Sequence, residues 1–249
     1  MTETFSGSRA LILGGACELA LTLARCLMEA SLYPILTYRN ERGLQAIGEA
    51  LAPFTGKYET QYLNFGDRPS LATLFKNIDD DLDFLVDFVH GDYESLIASA
   101  DEESVGRYFA GNVSFRAEVL KRAGRAMLKK RRGRLIYISS TAAERPNPGQ
   151  GFYSAAKLAS EALYRAMGLE MGERGITTAI LRPGYVAAGR GAVYMEKEKV
   201  GKKPLEMIPI KRATTAMEVA QTILFLLSDN ARGVNATAIV LDGGLTAGK

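Results

Sequence analysis

The chain has 249 residues, 47% of them hydrophobic and 24% charged, an ordinary make-up for one globular domain with a sizeable core. Thirty-one basic against 28 acidic residues leave a net charge of +3, too small an excess to predict a nucleic-acid partner. No run of 18 apolar residues offers a membrane span, the first nine residues lack the basic and apolar regions of a signal peptide, and two cysteines with one histidine make neither a disulfide framework nor a zinc set. The expectation is a cytoplasmic, metal-free protein of enzyme size.

The first short apolar run, Ala10-Leu11-Ile12-Leu13, ends at Gly14-Gly15. The spacing of Leu19, Ala20, Leu23, Ala24 and Leu27 then predicts a helix from Glu18 to Ala30. Tyr33 to Tyr38 reads as a strand, followed by a polar helix through Leu44, Ile47 and Leu51 and a third strand around Glu59 to Leu63. Asp67 with Pro69 signals a helix start, and Phe84 to Val89 reads as the fourth strand. Ser99-x-x-Glu102 has the pattern of a capping box for one long helix reaching Lys130. Leu135 to Ile138 is a strand, and Tyr153 to Glu173 a helix with Ala155, Ala159, Ala162 and Ala166 at helical spacing. Thr177 to Leu181 is a strand, Thr215-x-x-Glu218 caps a helix through Leu227, and Ala238 to Leu241 is the last strand. Apolar strands alternating with helices imply an α/β fold: a doubly wound, seven-stranded parallel sheet in a single domain, 1–249. Ligands are expected at the carboxyl ends of its strands.

Gly14-Gly15-Ala16-Cys17-Glu18-Leu19-Ala20 follows the first strand and opens a helix. Backbone N–H groups at a helix start attract phosphate, and glycine permits close approach, so Gly14, Gly15, Cys17, Glu18 and Leu19 are candidate dinucleotide contacts. Glu18 stands where a second glycine is usual, and a carboxylate near phosphates is unfavourable unless it points away. The alternative is a plain strand–helix turn. The second strand ends in Tyr38-Arg39-Asn40 with no acidic residue to read a ribose hydroxyl. The Arg39 fork suits a 2′-phosphate, which favours NADP(H) over NAD(H), unless Arg39 is only a solvated surface residue.

Tyr153-Ser154-Ala155-Ala156-Lys157 is the sharpest signal. Positions four apart share a helix face, and an ammonium near a phenol favours the phenolate and lowers its pKa, preparing a general acid or base. Ser140 lies 13 residues upstream of the tyrosine and Asn112 41 residues upstream. With Ile138-Ser139-Ser140, Pro183-Gly184 and Leu241-Asp242-Gly243-Gly244, these residues resemble the short-chain dehydrogenase/reductase family over nearly the whole chain, a family with a Rossmann-like fold. The resemblance implies that Tyr153 donates a proton to a carbonyl oxygen positioned by Ser140. Lys157 would lower the tyrosine pKa and hold the nicotinamide ribose, and Asn112 would help hold a water in a relay to that lysine. It extends the cofactor contacts to Asn64, Phe65, Val89, His90, Pro183, Gly184 and Val186, besides Tyr153 and Lys157. Met127 to Arg134, Gly175-Ile176-Thr177 and the stretch from Ile208 to Ser228 are closer to the 3-oxoacyl-(acyl carrier protein) reductases. That likeness implies a 3-oxoacyl thioester substrate lined by Gln150 and Tyr185 as well as Ser140 and Tyr153. It also implies docking of acidic acyl carrier protein at Arg131 and Arg174, and a homotetramer or dimer formed through the Asn112 and Tyr153 helices.

Three departures stand out. Glu18 replaces a glycine. Asp87-Phe88-Val89-His90 replaces Asn-Asn-Ala-Gly, with His90 either functional or filling the space of a glycine, and with Asp87 in need of a buried partner. Ala188 replaces a threonine after Pro183-Gly184, leaving that contact to backbone groups or Arg190. The segment 187–210, with Arg190, Tyr194, Met195, Lys197, Lys199, Lys202, Lys203 and Met207, is the expected substrate lid. An enoyl-thioester reductase is a second enzyme reading. A catalytically silent nucleotide-sensing or partner-binding protein is the third.

Overall fold

The computed structural model describes residues 3–78, 81–189, 191–192 and 203–248, with side chains from 205 onward in the last stretch. Arg190, Tyr194, Met195, Lys197, Lys199 and Lys202 of the expected lid lie outside the described residues, as does the side chain of Lys203. Among the described residues the strands are β1 (Arg9–Leu13), β2 (Tyr33–Tyr38), β3 (Glu59–Tyr62), β4 (Phe84–Asp87), β5 (Gly133–Ile138), β6 (Ile176–Pro183) and β7 (Thr237–Leu241). They form one sheet in the order β3-β2-β1-β4-β5-β6-β7, every neighbour parallel, as the alternation of strands and helices predicts. The strand order reverses between β1 and β4, so a crevice opens where Gly14 leaves β1 and Phe88 leaves β4.

The helices are α1 (Glu18–Glu29), α2 (Glu41–Ala50), α3 (Arg68–Asn77), α4 (Glu102–Phe109), α5 (Phe115–Lys130), α6 (Gly151–Met171), α7 (Lys203–Met207) and α8 (Ala216–Leu227). Side chains alternate along β1: Ala10 and Ile12 join one core with Leu23, Leu27, Ile223 and Leu227 of α1 and α8. Leu11 and Leu13 join the other, with Leu74 of α3, Val119 and Met127 of α5 and Tyr164 of α6. Each such fully buried side chain contributes about 1.5–3 kcal/mol, and the two layers hold the carboxyl edge of the sheet in one geometry. Asp67 caps α3 by accepting from the Ser70 N–H, and Thr215 and Glu218 make the expected reciprocal cap on α8. Among the described residues no helix is long and apolar enough to cross a membrane.

Two local expectations are corrected. The N-cap of α4 is Asp101, whose carboxylate accepts from the Ser104 N–H, while Ser99 ends a preceding 3-10 turn, Ile97–Ser99. An ionised cap at the helix start takes precedence over a hydroxyl two residues earlier. The long helix is also interrupted: Ala110–Ser114 is a π turn between α4 and α5, and Asn112 sits inside it. The outer strand β7 is not covered on both sides, with Val240 47% exposed.

Candidate active site

Gly14 turns the chain out of β1 with φ +75°, and a Cβ there would meet the Val89 side chain at 3.2 Å. A Cβ on Gly15 would strike Leu36 of β2 at 2.6 Å, so this glycine is needed for strand–helix packing. Thr37 fixes the loop by accepting from the Gly14 N–H at 2.9 Å, and the Thr37 carbonyl accepts from Gly15. Cys17 occupies the N-cap of α1 without a side-chain cap, and Glu18 and Leu19 form its first turn. Glu18 is exposed, yet its Oε2 accepts from the Gly189 N–H at 2.7 Å, 171 residues away. Arg39 is exposed at the end of β2, and Asn40 caps α2.

Tyr153 lies in the first turn of α6, between the ends of β4 and β5. Its ring meets His90 edge-on at 4.6 Å, and its hydroxyl hydrogen-bonds Ser140, which follows β5. Ser140 in turn accepts from the Ala142 N–H, which holds its side chain on the loop. Lys157 is buried one turn along α6, donates to the Ile138 carbonyl at 2.8 Å and sits 5.7 Å from the Tyr153 ring centre. Asn112 accepts from the Gly91 N–H at 2.8 Å through Oδ1 and donates to the Tyr108 carbonyl through Nδ2. Its own carbonyl accepts from Arg116 and from Ser160 of α6. The structure thus gathers Asn112, Ser140, Tyr153 and Lys157 at one edge of the sheet. In this chain Asn112 ties the loop after β4 to the π turn, with its carbonyl taken up by a cation.

That cation is the feature the sequence reading missed. Arg116 is fully buried; its Nε donates to Asp87 Oδ2 at 2.6 Å, Nη1 to Ser160 Oγ at 2.9 Å, and Nη2 to the Val89 carbonyl at 2.5 Å. Its guanidinium also lies over Tyr137 at 4.9 Å and over Phe65 at 5.6 Å. Asp87 has the partner its burial requires, and it accepts further from the Val89 N–H and the Tyr164 hydroxyl. One signal was legible. Arg116 falls four residues after Asn112 and three before Val119, on the apolar side of the helix, while Asp87 interrupts an apolar strand. A second buried group lies below Ser139, which donates to Glu161; Glu161 also takes a bidentate pair of bonds from Arg182.

The protonation states differ from those the resemblance implied. Burial pushes the Tyr153 hydroxyl above its ordinary range, only the Ser140 hydrogen bond works against this, and the Glu94 charge adds to it. Burial, then the neighbouring Arg116 charge, lowers Lys157 to about 7, with Asp87 and Glu161 pulling the other way. Burial thus acts on both members of the pair, and Lys157 gives one of its donors to the Ile138 carbonyl. Tyr153 is protonated at neutral pH, the state that a proton donor needs. A stability consequence follows for Lys157. Between pH 7 and the unfolded value near 10.5 the unfolded chain binds the extra proton, so this group's contribution to stability rises with pH across that window. Urea midpoints of wild type and Lys157→Met, measured at pH 7 and pH 9.5, should move in favour of wild type at the higher pH; a gap that moves the other way contradicts this.

His90 bonds the Tyr108 hydroxyl at 2.6 Å and forms a wall beside Tyr153, filling space that glycine would leave open. Val89 is half-buried beside Gly14. Asn64 and Phe65 follow β3; the Asn64 N–H and carbonyl are engaged by Ser70, and the Phe65 ring packs on Phe115 at 4.7 Å. Pro183 is buried at the end of β6, and a Cβ on Gly184 would meet Asp242 at 2.7 Å. Val186 bridges to Thr214, which also bonds the backbones of Tyr185 and Ala187. Gln150 turns its side-chain carbonyl back to the Asn147 N–H at the start of α6. Arg131 and Arg174 are neighbours, each bonding a carbonyl of the turn that ends α6. They precede β5 and β6, whereas Ser140 and Gly184 follow those strands, so the two sites stand a strand length, about 20 Å, apart.

The donors around the crevice fit an anionic dinucleotide in their chemistry. The amino end of α1, the Gly189 N–H and the exposed Arg39 all favour negative charge, and the chain already offers a carboxylate to one of them. Residues 15–246 match the family model described as Enoyl-(Acyl carrier protein) reductase. The chain belongs to the short-chain dehydrogenase/reductase family and is an oxidoreductase. It is 30% identical over 242 residues to the 3-oxoacyl-(acyl-carrier-protein) reductase FabG of Haemophilus influenzae, covering 96% of this chain and 98% of that one. It is 28% identical to the Escherichia coli protein of the same name over 244 residues, with 97% and 98% covered. Among solved structures, a gluconate 5-dehydrogenase from Burkholderia cenocepacia in complex with NADP and tartrate superposes with a TM-score of 0.89 at 22% identity, covering 99% of this chain and 98% of that one.

Proposed function

We propose that this oxidoreductase is an NADP(H)-dependent carbonyl reductase that converts a 3-oxoacyl thioester, on acyl carrier protein or coenzyme A, to the 3-hydroxyacyl thioester. The observation that carries the reading is the placement of Tyr153 beside Ser140 and one helical turn before the buried Lys157, at the carboxyl edge of the sheet. The dinucleotide, when bound, supplies a hydride to the carbonyl carbon. The α1 amino end and Val186 would hold it, with Arg39 on a 2′-phosphate and Lys157 on the ribose. Tyr153 passes its proton to the carbonyl oxygen, which Ser140 orients, and His90 and Tyr185 wall the substrate side. The activity for which the FabG relatives are named supports the substrate class. Enoyl-thioester reduction is the second reading, prompted by the description of the matching family model. Against it, three residues separate Tyr153 from Lys157, where the resemblance associates enoyl reductases with six.

The reading extends to assembly and docking. The exposed face of α6, with Leu158 39% and Leu169 76% exposed beside Ala155 and Ala162, suits a homotetramer or dimer. Carrier docking at Arg131 and Arg174 then serves a site that a neighbouring subunit brings close, since within one chain the two lie at opposite ends of the sheet. The test is nucleotide oxidation against a panel of a 3-oxoacyl thioester, an enoyl thioester and a keto sugar acid, with NADPH and NADH. Turnover of the 3-oxoacyl thioester with NADPH preferred, and loss of that preference in Arg39→Ala, is the expected result. Turnover confined to the enoyl thioester establishes the second reading. Nucleotide binding with no turnover points to a sensor.

A further inference from the structure

Glu18 and Gly189 are exposed residues of distant segments, yet a hydrogen bond joins the start of α1 to the segment after β6. The segment carrying Gly189 is fixed on its other side. Val186 bridges Thr214, the Ala187 N–H donates to the Thr214 carbonyl, and Ala188 is buried. The Gly189 N–H therefore has a defined direction, toward the amino end of α1. An anion there gains from that donor and from the helix dipole together. The chain supplies its own, a carboxylate on the first residue of the helix.

We propose that Glu18 determines the affinity of the crevice for its dinucleotide: its carboxylate competes with the nucleotide's phosphates for the Gly189 N–H and the α1 amino end, and it ties the two segments together until a nucleotide displaces it. The inference rests on the reading that the crevice takes a dinucleotide. A pyrophosphate at the α1 amino end meets a like charge, so binding requires Glu18 to release Gly189 and swing outward. Ala188, where the family has a hydroxyl, offers no substitute side-chain contact. Glu18 thus gives its own departure from glycine a role, as one exchange of an anion for another.

The test uses the intact protein, Glu18→Gln and Glu18→Ala, all chosen because position 18 is exposed. NADPH dissociation constants are read from nucleotide fluorescence, and amide exchange at Gly189 is read without nucleotide. Both variants should bind NADPH at least about tenfold more tightly than wild type. Glu18→Ala should also exchange the Gly189 amide faster. Equal or weaker binding by the variants overturns the proposal, as does unchanged Gly189 exchange in Glu18→Ala. If neither wild type nor variants bind NADPH or NADH while Gly189 exchange still rises in Glu18→Ala, the dinucleotide reading falls and takes the affinity role with it; that pattern differs from equal binding by all three proteins, which removes the proposal alone.

Discussion

Tyr153→Phe is expected to lower kcat for carbonyl reduction by about 10²- to 10⁴-fold, the usual worth of a positioned proton donor, while the nucleotide dissociation constant and the urea midpoint stay close to wild type. The substitution removes one oxygen from a half-buried ring whose packing against His90 survives. What is lost is the group that is protonated at neutral pH and bonded to Ser140. Ser140→Ala should show a smaller fall, because on the proposed mechanism it removes the group that orients the carbonyl and leaves the donor in place. Steady-state kinetics with a 3-oxoacyl thioester, beside a fluorescence titration of nucleotide, separates these effects. A Tyr153→Phe protein within a few-fold of wild-type kcat contradicts the assignment.

The largest stability effect is expected at Arg116. Arg116→Met leaves the Asp87 carboxylate buried without its cation and removes donors from the Val89 and Asn112 carbonyls. Breaking a buried ion pair from one side costs about 3–5 kcal/mol, a large share of a domain's stability. Arg116→Met combined with Asp87→Asn should recover part of that loss, since no charge is then left stranded. Urea unfolding of the single and double variants reads both values. If Arg116→Met costs under about 1 kcal/mol, the pair does not hold the site as described; if it fails to fold, recovery of folding in the double variant carries the same information.

Most of the sheet was legible because five of its strands are buried on both faces and read as unbroken apolar runs between helices with a clear period. The fourth strand was read two residues too long. Phe88 and Val89 are apolar, but the Val89 N–H is bonded by the Asp87 side chain and its carbonyl by Arg116, so neither is left for the ladder. A periodicity argument does not see a backbone diverted by side chains. The Tyr153 and Lys157 pair was readable from spacing within one helix. Its protonation was not, because burial and a cation from a different helix, Arg116, set the amine. Glu18 was recognised as out of place, yet its partner lies 171 residues on. That Arg131 and Arg174 are neighbours was not legible in the sequence; it follows from their bonds to carbonyls at the end of α6. Their distance from Ser140 became evident only once the strand direction was known.

Single-turnover transfer from NADPH carrying deuterium at the reactive carbon tests the central claim most directly. Wild-type protein mixed with an excess of labelled nucleotide and a 3-oxoacyl thioester should yield the 3-hydroxyacyl thioester with deuterium on C3, and Tyr153→Phe should yield almost none in the same time. Absence of labelled hydroxyl product from wild type, or an equal yield from the variant, would contradict the account.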